Sequence, residues 1–383
     1  MKKIKVLSVF GTRPEAIKMA PLALELKSHP EIDAKICVTA QHREMLDSVL
    51  SIFNLKADFD LDIMKAGQTL SDITSRILYG MQDVFSEYTP DLVLVHGDTT
   101  TSFTVALAAF YSGIAVGHVE AGLRSFDRNS PFPEEMNRRL NGQLCTLHFA
   151  PTAQNRINLE KEGVDGEIFV TGNTVIDALK YTASDESLPM SEYLSGILDY
   201  SKKIITLTCH RRENFGEPMD NIFTAVKNIA EANDELLFIY PVHPNPIVKD
   251  KAEEILGSVS NVKLISPLDA FDMHKLMAKS YFIMTDSGGI QEEAPALGKP
   301  VLVLRRETER PEAIEAGTVA LAGTDREKIQ ELALELLNSE EKYNEMANAV
   351  NPYGDGLASA RIADSILYYY GVNDKRPADF CSK

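Results

Sequence analysis

The sequence predicts an α/β protein built from two Rossmann-like, doubly wound domains that face each other across a cleft. Three observations predict it. Strand-like and helix-like segments alternate almost throughout the 383 residues, the pattern of parallel sheets covered by helices. Many strand segments, such as "DLVLV" and "LLFIY", are near-continuous apolar runs, as expected where both faces are buried. The opening pattern of a Lys-Lys pair, a strand, an arginine-bearing loop and a helix, "KKIKVLSVFGTRPEAIK", returns near the middle as "KKIITLTCHRREN". The chain is too long for one ordinary core and comfortable for two.

In the first half, "KIKVLSVF", "DAKICVTA", "DLVLVHGD", "AVGHVEAG", "TLHFAPT" and "EIFVTGN" read as strands. In the second, "KIITLTC", "LLFIYPV", "VKLISP", "YFIMTD", "PVLVL" and "TVALAG" do. Segments of helical periodicity lie between them, among them "TSFTVALAAFYSG" and "NIFTAVKNIAEAN". Residues 182–199, "TASDESLPMSEYLSGILD", are polar and irregular and mark the junction. We therefore expect an N-terminal domain over residues 1–175 and a C-terminal, ligand-binding domain over residues 176–359. A last helix, about residues 360–383, packs back on the first domain, and the tail "GVNDKRPADFCSK" is expected to fray.

Composition limits the function. With 44% hydrophobic and 25% charged residues the chain is globular. A net charge of −17 repels nucleic acid and anionic membranes. No apolar run is long enough to span a bilayer. The N-terminus resembles a signal peptide only superficially, because Gly-Thr-Arg-Pro suits a βα turn better than a cleavage site. Cys37, Cys145, Cys209 and Cys381 lack metal-ligand spacing, which points to reduced, cytoplasmic thiols without a zinc site or disulfide framework. Neither a dinucleotide fingerprint nor a P-loop is present, so no bound cofactor and no metal are expected. An anionic substrate would need a local cationic pocket working against the global charge.

The motifs supply such groups. In "GTRPEAIK", Thr12 and Glu15 form the capping box T-x-x-E, and Pro14 suits the first turn. Arg13 stands at the positive end of the helix dipole, and Lys18, further in, tilts back toward it. A capped helix with two solvated cations is the plain alternative to an anion site. In "VHGDTTTSF", Asp98 closes a buried strand and either caps the next helix or, if a following threonine caps, remains for a ligand. Glu120 in "GHVEAGLRS" ends the neighbouring strand, where a carboxylate is costly to bury without use. Glu134 and Glu135 open a helix after Pro133, a place where dipole pairing alone accounts for acids. His210, beside Arg211 and Arg212 in "TCHRREN", can hold a phosphate or donate a proton, or serve as a satisfied core histidine. In "TDSGGIQEEAPALGKP", Ser287, Gly288 and Gly289 begin a helix with backbone N–H groups suited to an anion. Glu292 and Glu293 follow within a turn or so, where an acid can accept from ribose hydroxyls. Arg310 in "RRETERPE" adds a cation; the bland alternative is a glycine-rich turn with an exposed acidic helix.

These motifs together resemble the non-hydrolysing UDP-N-acetylglucosamine 2-epimerases of bacteria. The likeness runs from "VFGTRPEAIKMAPL" through "TAQHREMLD", "LVHGDTTT", "GHVEAGLRS", "GNTVIDAL", "HRREN", "PVHPNP" and "TDSGGIQEEAPALGKPVLVLR" to "NPYGDGLASARI". It implies a glycosyltransferase-B-like fold, usually a homodimer, that interconverts UDP-GlcNAc and UDP-ManNAc and feeds ManNAc-containing surface polysaccharide. By this resemblance Arg13, Lys18, Asp98, Glu120, Glu134 and His210 fall on active-site positions. Ser287, Gly288, Gly289, Glu293 and Arg310 fall on UDP-binding positions, and Leu268 and Met273 fall where main chain holds the uracil. Gln41, Arg211 and His243 lie in segments able to serve a second, activating UDP-GlcNAc, although Gly67 stands where regulated relatives carry an arginine.

The chemistry implied is elimination. The C2 hydrogen of the sugar is not beside a carbonyl, and C2 bears nitrogen, so a base takes H2 while UDP leaves C1. UDP then adds back to 2-acetamidoglucal with a proton delivered to the other face. Acid–base groups must reach both faces of one carbon, which suits Asp98, Glu120 and Glu134. Arg13, His210, Arg310 and the helix start at Ser287 would stabilise departing UDP. A hydrolysing relative that releases ManNAc, a retaining glycosyltransferase of the same fold and a catalytically silent nucleotide-sugar sensor are the competing readings.

Overall fold

The computed structural model describes residues 2–39, 43–65, 67–184 and 188–381. The chain divides into two compact units: Met1–Ala178 with Tyr353–Cys381, and Leu179–Pro352. In the first, the strands are β1 (Ile4–Phe10), β2 (Ile32–Val38), β3 (Phe59–Asp60), β4 (Leu92–His96), β5 (Ala115–Val119), β6 (Leu147–Ala150) and β7 (Glu167–Val170). In the second they are β8 (Lys203–Thr208), β9 (Leu236–Pro241), β10 (Val262–Ile265), β11 (Phe282–Thr285), β12 (Val301–Val303) and β13 (Val319–Leu321).

The first sheet runs β3-β2-β1-β4-β5-β6-β7 and the second β10-β9-β8-β11-β12-β13. All recorded pairings are parallel. Each sheet therefore reverses its winding beside its opening strand, at β1/β4 and at β8/β11, the switch point where such folds bind ligands. The apolar runs fill the layers as expected. Leu7, Val9, Val93 and Val95 pack with Ile77, Met81 and Val105 in the first unit, and Leu207, Phe238 and Tyr240 pack with Phe223 and Val226 in the second. The twelve expected strands are all present. The additional one, β3, is two residues long and lies in the polar stretch "KADFDLD", too short to leave a periodic signal.

The tail does not fray. Phe380 N–H donates to Val170 O at 2.7 Å, and Asp379 accepts from Val170 N–H at 2.9 Å. Asp379 also pairs with Arg156 at 2.8 Å, while the Arg376 guanidinium lies 4.1 Å from the centre of the Phe169 ring. These contacts run along β7, the last strand of its sheet, and cover polar groups that an edge strand otherwise leaves open. The chain re-enters the first unit at Tyr353, ahead of residue 360: Asn173 N–H donates to Tyr353 O at 2.7 Å. Asp177 then accepts from Ala358 and Ser359 N–H at 3.2 and 2.8 Å, capping the helix Ala358–Tyr369. Among the described residues no helix is long and apolar enough to cross a membrane.

Candidate active site

In the first unit β1 turns at Gly11, where any Cβ would come within 2.1 Å of Thr39 Oγ1. Thr12 caps the helix Arg13–Ser28, and both bonds of the capping box form. The Glu15 carboxylate is buried. Its Oε2 accepts from Gly11 and Thr12 N–H at 3.1 and 2.8 Å, and its Oε1 accepts from the Thr99 hydroxyl at 2.7 Å. Burial pushes this carboxyl up, against the hydrogen bonds that favour its charge. Glu15 thus ties the loop after β1 to the loop after β4. Arg13, beside it, is half-buried and has no ion-pair partner among the described residues.

Thr99, not Asp98, caps the helix Thr100–Tyr111, accepting from Ser102 N–H at 3.0 Å. Asp98 instead meets Arg138 at 2.5 Å, and its carbonyl accepts from the Asn137 amide at 2.8 Å. Glu120, just past β5, has φ of +64°, a left-handed conformation rare outside glycine and a sign of local constraint. Its carboxylate pairs with Lys18 and accepts from Asn173 Nδ2 at 3.2 Å. His96 Nε2 lies 3.6 Å from the same oxygen and has no hydrogen-bond partner among the described residues. Burial lowers the His96 pKa to about 4; the Glu120 charge opposes this and the Lys18 charge assists it. The two adjacent acids of the next helix, Glu134–Leu144, divide their roles. Glu135 is fully buried and accepts from Ser125 and Phe126 N–H at 2.9 and 3.2 Å. Glu134 is half-exposed and has no hydrogen-bond or ion-pair partner among the described residues.

In the second unit a buried acid again governs the loop after the opening strand. Asp286, past β11, accepts on Oδ2 from His210 N–H at 2.7 Å, Arg211 N–H at 2.8 Å and Asn214 Nδ2 at 3.0 Å. The His210 ring stacks on His243 with centroids 5.4 Å apart, and its Nδ1 is 3.4 Å from Asp286 Oδ1. Burial lowers the His210 pKa, against Asp286 and with the help of His243 and Arg211. The helix Gly288–Ala296 starts without a side-chain cap on its first N–H groups, which leaves a partial positive charge there. An added Cβ at Gly288 would lie 3.7 Å from Arg310 Nη2 and 3.9 Å from Arg211 Nη2. Two guanidinium groups therefore converge on an open helix start, an arrangement suited to phosphate oxygens.

The neighbouring acids separate here as well. Buried Glu292 pairs with Arg310 at 2.5 Å and fixes that guanidinium. Glu293 Oε1 would be 3.4 Å from a Cβ on Gly289, and its Oε2 is 3.2 Å from His274 Nε2. Leu268 packs against a small cluster containing Leu194 and Leu276. Met273 N–H is already donated to Asp269 O at 3.0 Å in the first turn of Ala270–Lys279, so that amide is held by its own helix. Arg211 and His243 lie with His210 and Gly288 rather than in a separate cluster. Gln41 lies outside the described residues, and Gly67 has φ of +71° with nothing within 4 Å of an added Cβ.

Sequence reasoning passed over His96, Asn173, Arg138, Asp286 and His274 as site groups. The first four stand in the segments "VHGD", "GNTV", "EEMNRR" and "TDSGG", inside or next to motifs or residues already singled out. Each acts through a neighbour, and such a role leaves no mark of its own in spacing.

A family model described as UDP-N-acetylglucosamine 2-epimerase matches residues 24–367. A UDP-N-acetylglucosamine 2-epimerase of Bacillus subtilis (strain 168) is 56% identical over 385 residues, covering 100% of both chains. Among solved structures, a UDP-N-acetylglucosamine 2-epimerase at 54% identity superposes with a TM-score of 0.92, with 100% of each chain covered. The Neisseria meningitidis UDP-GlcNAc 2-epimerase bound to UDP-GlcNAc has 51% identity and a TM-score of 0.82, covering 95% of this chain and 100% of its own.

Proposed function

Because the chain belongs to the UDP-N-acetylglucosamine 2-epimerase family, we propose that it interconverts UDP-GlcNAc and UDP-ManNAc by elimination and re-addition of UDP, without net hydrolysis. We propose further that it works in the cytoplasm as a homodimer and supplies ManNAc units for surface polysaccharide. The observation that carries the reaction is the contrast among three carboxylates of the first unit. Glu120 is held by Lys18 and Asn173, Asp98 by Arg138, and Glu134 by no side-chain partner among the described residues. Removing a proton from one face of C2 and delivering one to the other requires groups set differently, and environment is what sets them.

In this reading the second unit receives the nucleotide. The open N–H groups at Gly288, flanked by Arg211 and Arg310, take the diphosphate, and Glu293 takes the ribose hydroxyls. As the C1–O bond breaks, the electron pair stays on the β-phosphate oxygen, where the cationic cluster and His210 oppose its charge. One carboxylate of the first unit accepts H2 as a proton. Re-addition of the same oxygen to C1, with a proton placed on the opposite face of C2, completes the epimer. Arg13 is assigned to the substrate's negative charge.

The test is incubation of the pure protein with UDP-GlcNAc alone in D2O. UDP-ManNAc carrying deuterium at C2 is expected, since a carboxyl proton exchanges with solvent. Release of free ManNAc with UDP would replace this reading with the hydrolysing one. No turnover without an acceptor sugar would favour the glycosyltransferase.

A further inference from the structure

We propose that Asp286 is the positioning residue for His210: it takes the Nδ1 proton, and so commits the opposite ring nitrogen, Nε2, to the departing diphosphate. The inference deepens the reading above and rests on the place His210 is given there.

The argument starts from a buried carboxylate with unequal oxygens. Asp286 is fully buried. Its Oδ2 accepts from three N–H groups, while its Oδ1 has no hydrogen-bond partner among the described residues. A buried carboxylate oxygen left without a donor is costly. His210 Nδ1 stands 3.4 Å from that oxygen, and a small ring rotation makes it the donor. The neutral ring then carries its proton on Nδ1. The stacked His243 ring, tilted by only 9°, limits ring turning. His243 is itself oriented, because its Nδ1 accepts from Asn245 N–H at 3.1 Å.

The charged and titratable groups facing His210 are Asp286, His243 and Arg211, and only Asp286 favours the imidazolium. The Cys209 thiol also faces Asp286; burial first, and then the Asp286 charge and a hydrogen bond to it, push it well up, so it stays protonated and is a weak donor that His210 must outcompete. In the free protein, burial keeps His210 toward the neutral form. An arriving diphosphate adds negative charge and favours the imidazolium, formed as Nε2 takes up a proton from solvent, while the N–H on Nδ1 is already matched by Asp286. The Nε2–H then donates to the phosphate oxygen that keeps the electron pair of the broken C1–O bond. The same N–H is released when that oxygen returns to C1, so no proton is consumed over the cycle.

Asp286→Asn isolates the charge from the loop clamp, since the amide oxygen can still accept from the His210 and Arg211 N–H groups. With ¹⁵N-labelled histidine, NMR should find neutral wild-type His210 protonated on Nδ1. In the variant that preference should be lost and the ring should titrate at lower pH. The alkaline limb of kcat/KM should move the same way, and kcat should fall by ~10²-fold, the usual worth of a positioned proton donor. Unchanged titration and an unchanged limb, with or without lost activity, would reduce Asp286 to a loop clamp and overturn the proposal. If the variant does not fold, the wild-type tautomer decides alone: a proton on Nε2 in the neutral ring overturns it. Failure of the protein to convert UDP-GlcNAc would sink the functional reading without altering either NMR result.

Discussion

The two units build the same kind of loop clamp in different ways. Each has the same winding reversal, and at each a buried carboxylate accepts two successive main-chain N–H groups of the loop after the opening strand. At β1/β4 the acid is Glu15, which belongs to the helix that follows that loop. At β8/β11 the acid is Asp286, which reaches back from the end of the neighbouring strand. The difference decides what each end of the sheet can bind. Glu15 occupies the N–H groups at its own helix start, and the acid–base work we propose for that unit falls to Asp98, Glu120 and Glu134. Asp286 leaves the helix at Gly288 open, and Arg211 and Arg310 converge on it. In the function proposed above, one topology thereby serves acid–base work in one unit and anion binding in the other, and the source of the clamping acid is what differs between them.

Crossed substitutions should split these roles with the largest effects. Glu120→Gln keeps shape and removes ionisation. We expect kcat to fall by ~10²–10⁴-fold, the range for a lost general acid or base, while UDP affinity stays near wild type. Glu293→Ala should do the reverse, weakening UDP by ~1.5–3 kcal/mol, as for a hydrogen bond to a charged group, with a much smaller loss of kcat at saturation. Steady-state kinetics and calorimetry with UDP read the two quantities independently. Parallel loss of both in Glu120→Gln would mean that the acids of the first unit organise binding, and the contrast would fail.

The units should also differ in acid. Burial lowers His96 to about 4 and His118 to about 3, and lowers His148 as well. His118 and His148 are direct neighbours on β5 and β6. All three belong to the first unit, whereas His210 shares this direction in the second. In the folded unit these rings stay neutral, while in the unfolded chain they bind protons near pH 6.5. Their contribution is therefore complete above about pH 6.5 and is lost as pH falls toward the folded values. His96 and His118 each remove ~1.4 kcal/mol per pH unit in that window, or ~3 kcal/mol per unit together, and His148 acts in the same direction. Urea unfolding at pH 7.5 and 5.5, followed by proteolysis, should show the first unit opening first at the lower pH. Equal acid sensitivity of the two units would remove this part of the comparison.

Twelve of the thirteen strands among the described residues were legible because continuous apolar runs and capped helix starts are local signals; their order in each sheet was not, since pairing is set by tertiary contacts. Thr12 with Glu15 announced a capping box, and the box is there. Distinctions between adjacent acids were not legible. Nothing in "EE" tells that Glu135 is buried under Ser125 and Phe126 N–H groups while Glu134 is not, or that Glu292 holds Arg310 while Glu293 faces the glycines. A helix turns about 100° per residue, so neighbours in sequence face different surroundings, and only the tertiary packing says which. The tail was misread for a related reason. "KRPADF" is polar and carries no period, yet Arg376, Asp379 and Phe380 each find a partner at β7 or its neighbours.

The smallest effects should come from the two helix caps, and they give the finest test of the contrast. Thr12 Oγ1 accepts from Glu15 N–H and donates to the Glu15 carboxylate at 2.8 Å. Thr12→Ala should cost ~1 kcal/mol of stability, the usual value for a lost cap, and leave UDP affinity unchanged, because that helix start is already filled by its own acid. Ser287 occupies the equivalent place before the helix Gly288–Ala296, but its side chain makes no capping bond. Ser287→Ala should therefore leave the urea midpoint nearly where it was. If its hydroxyl meets the diphosphate, UDP should bind more weakly by ~0.5–1.5 kcal/mol, the net worth of a single hydrogen bond. The two alanines thus predict opposite columns of the same table: one moves stability and not affinity, the other affinity and not stability. A loss of UDP binding in Thr12→Ala would show that the first helix start does hold phosphate despite Glu15. A stability loss in Ser287→Ala as large as that in Thr12→Ala would show that the second helix start is capped after all, and that its openness to an anion was overestimated.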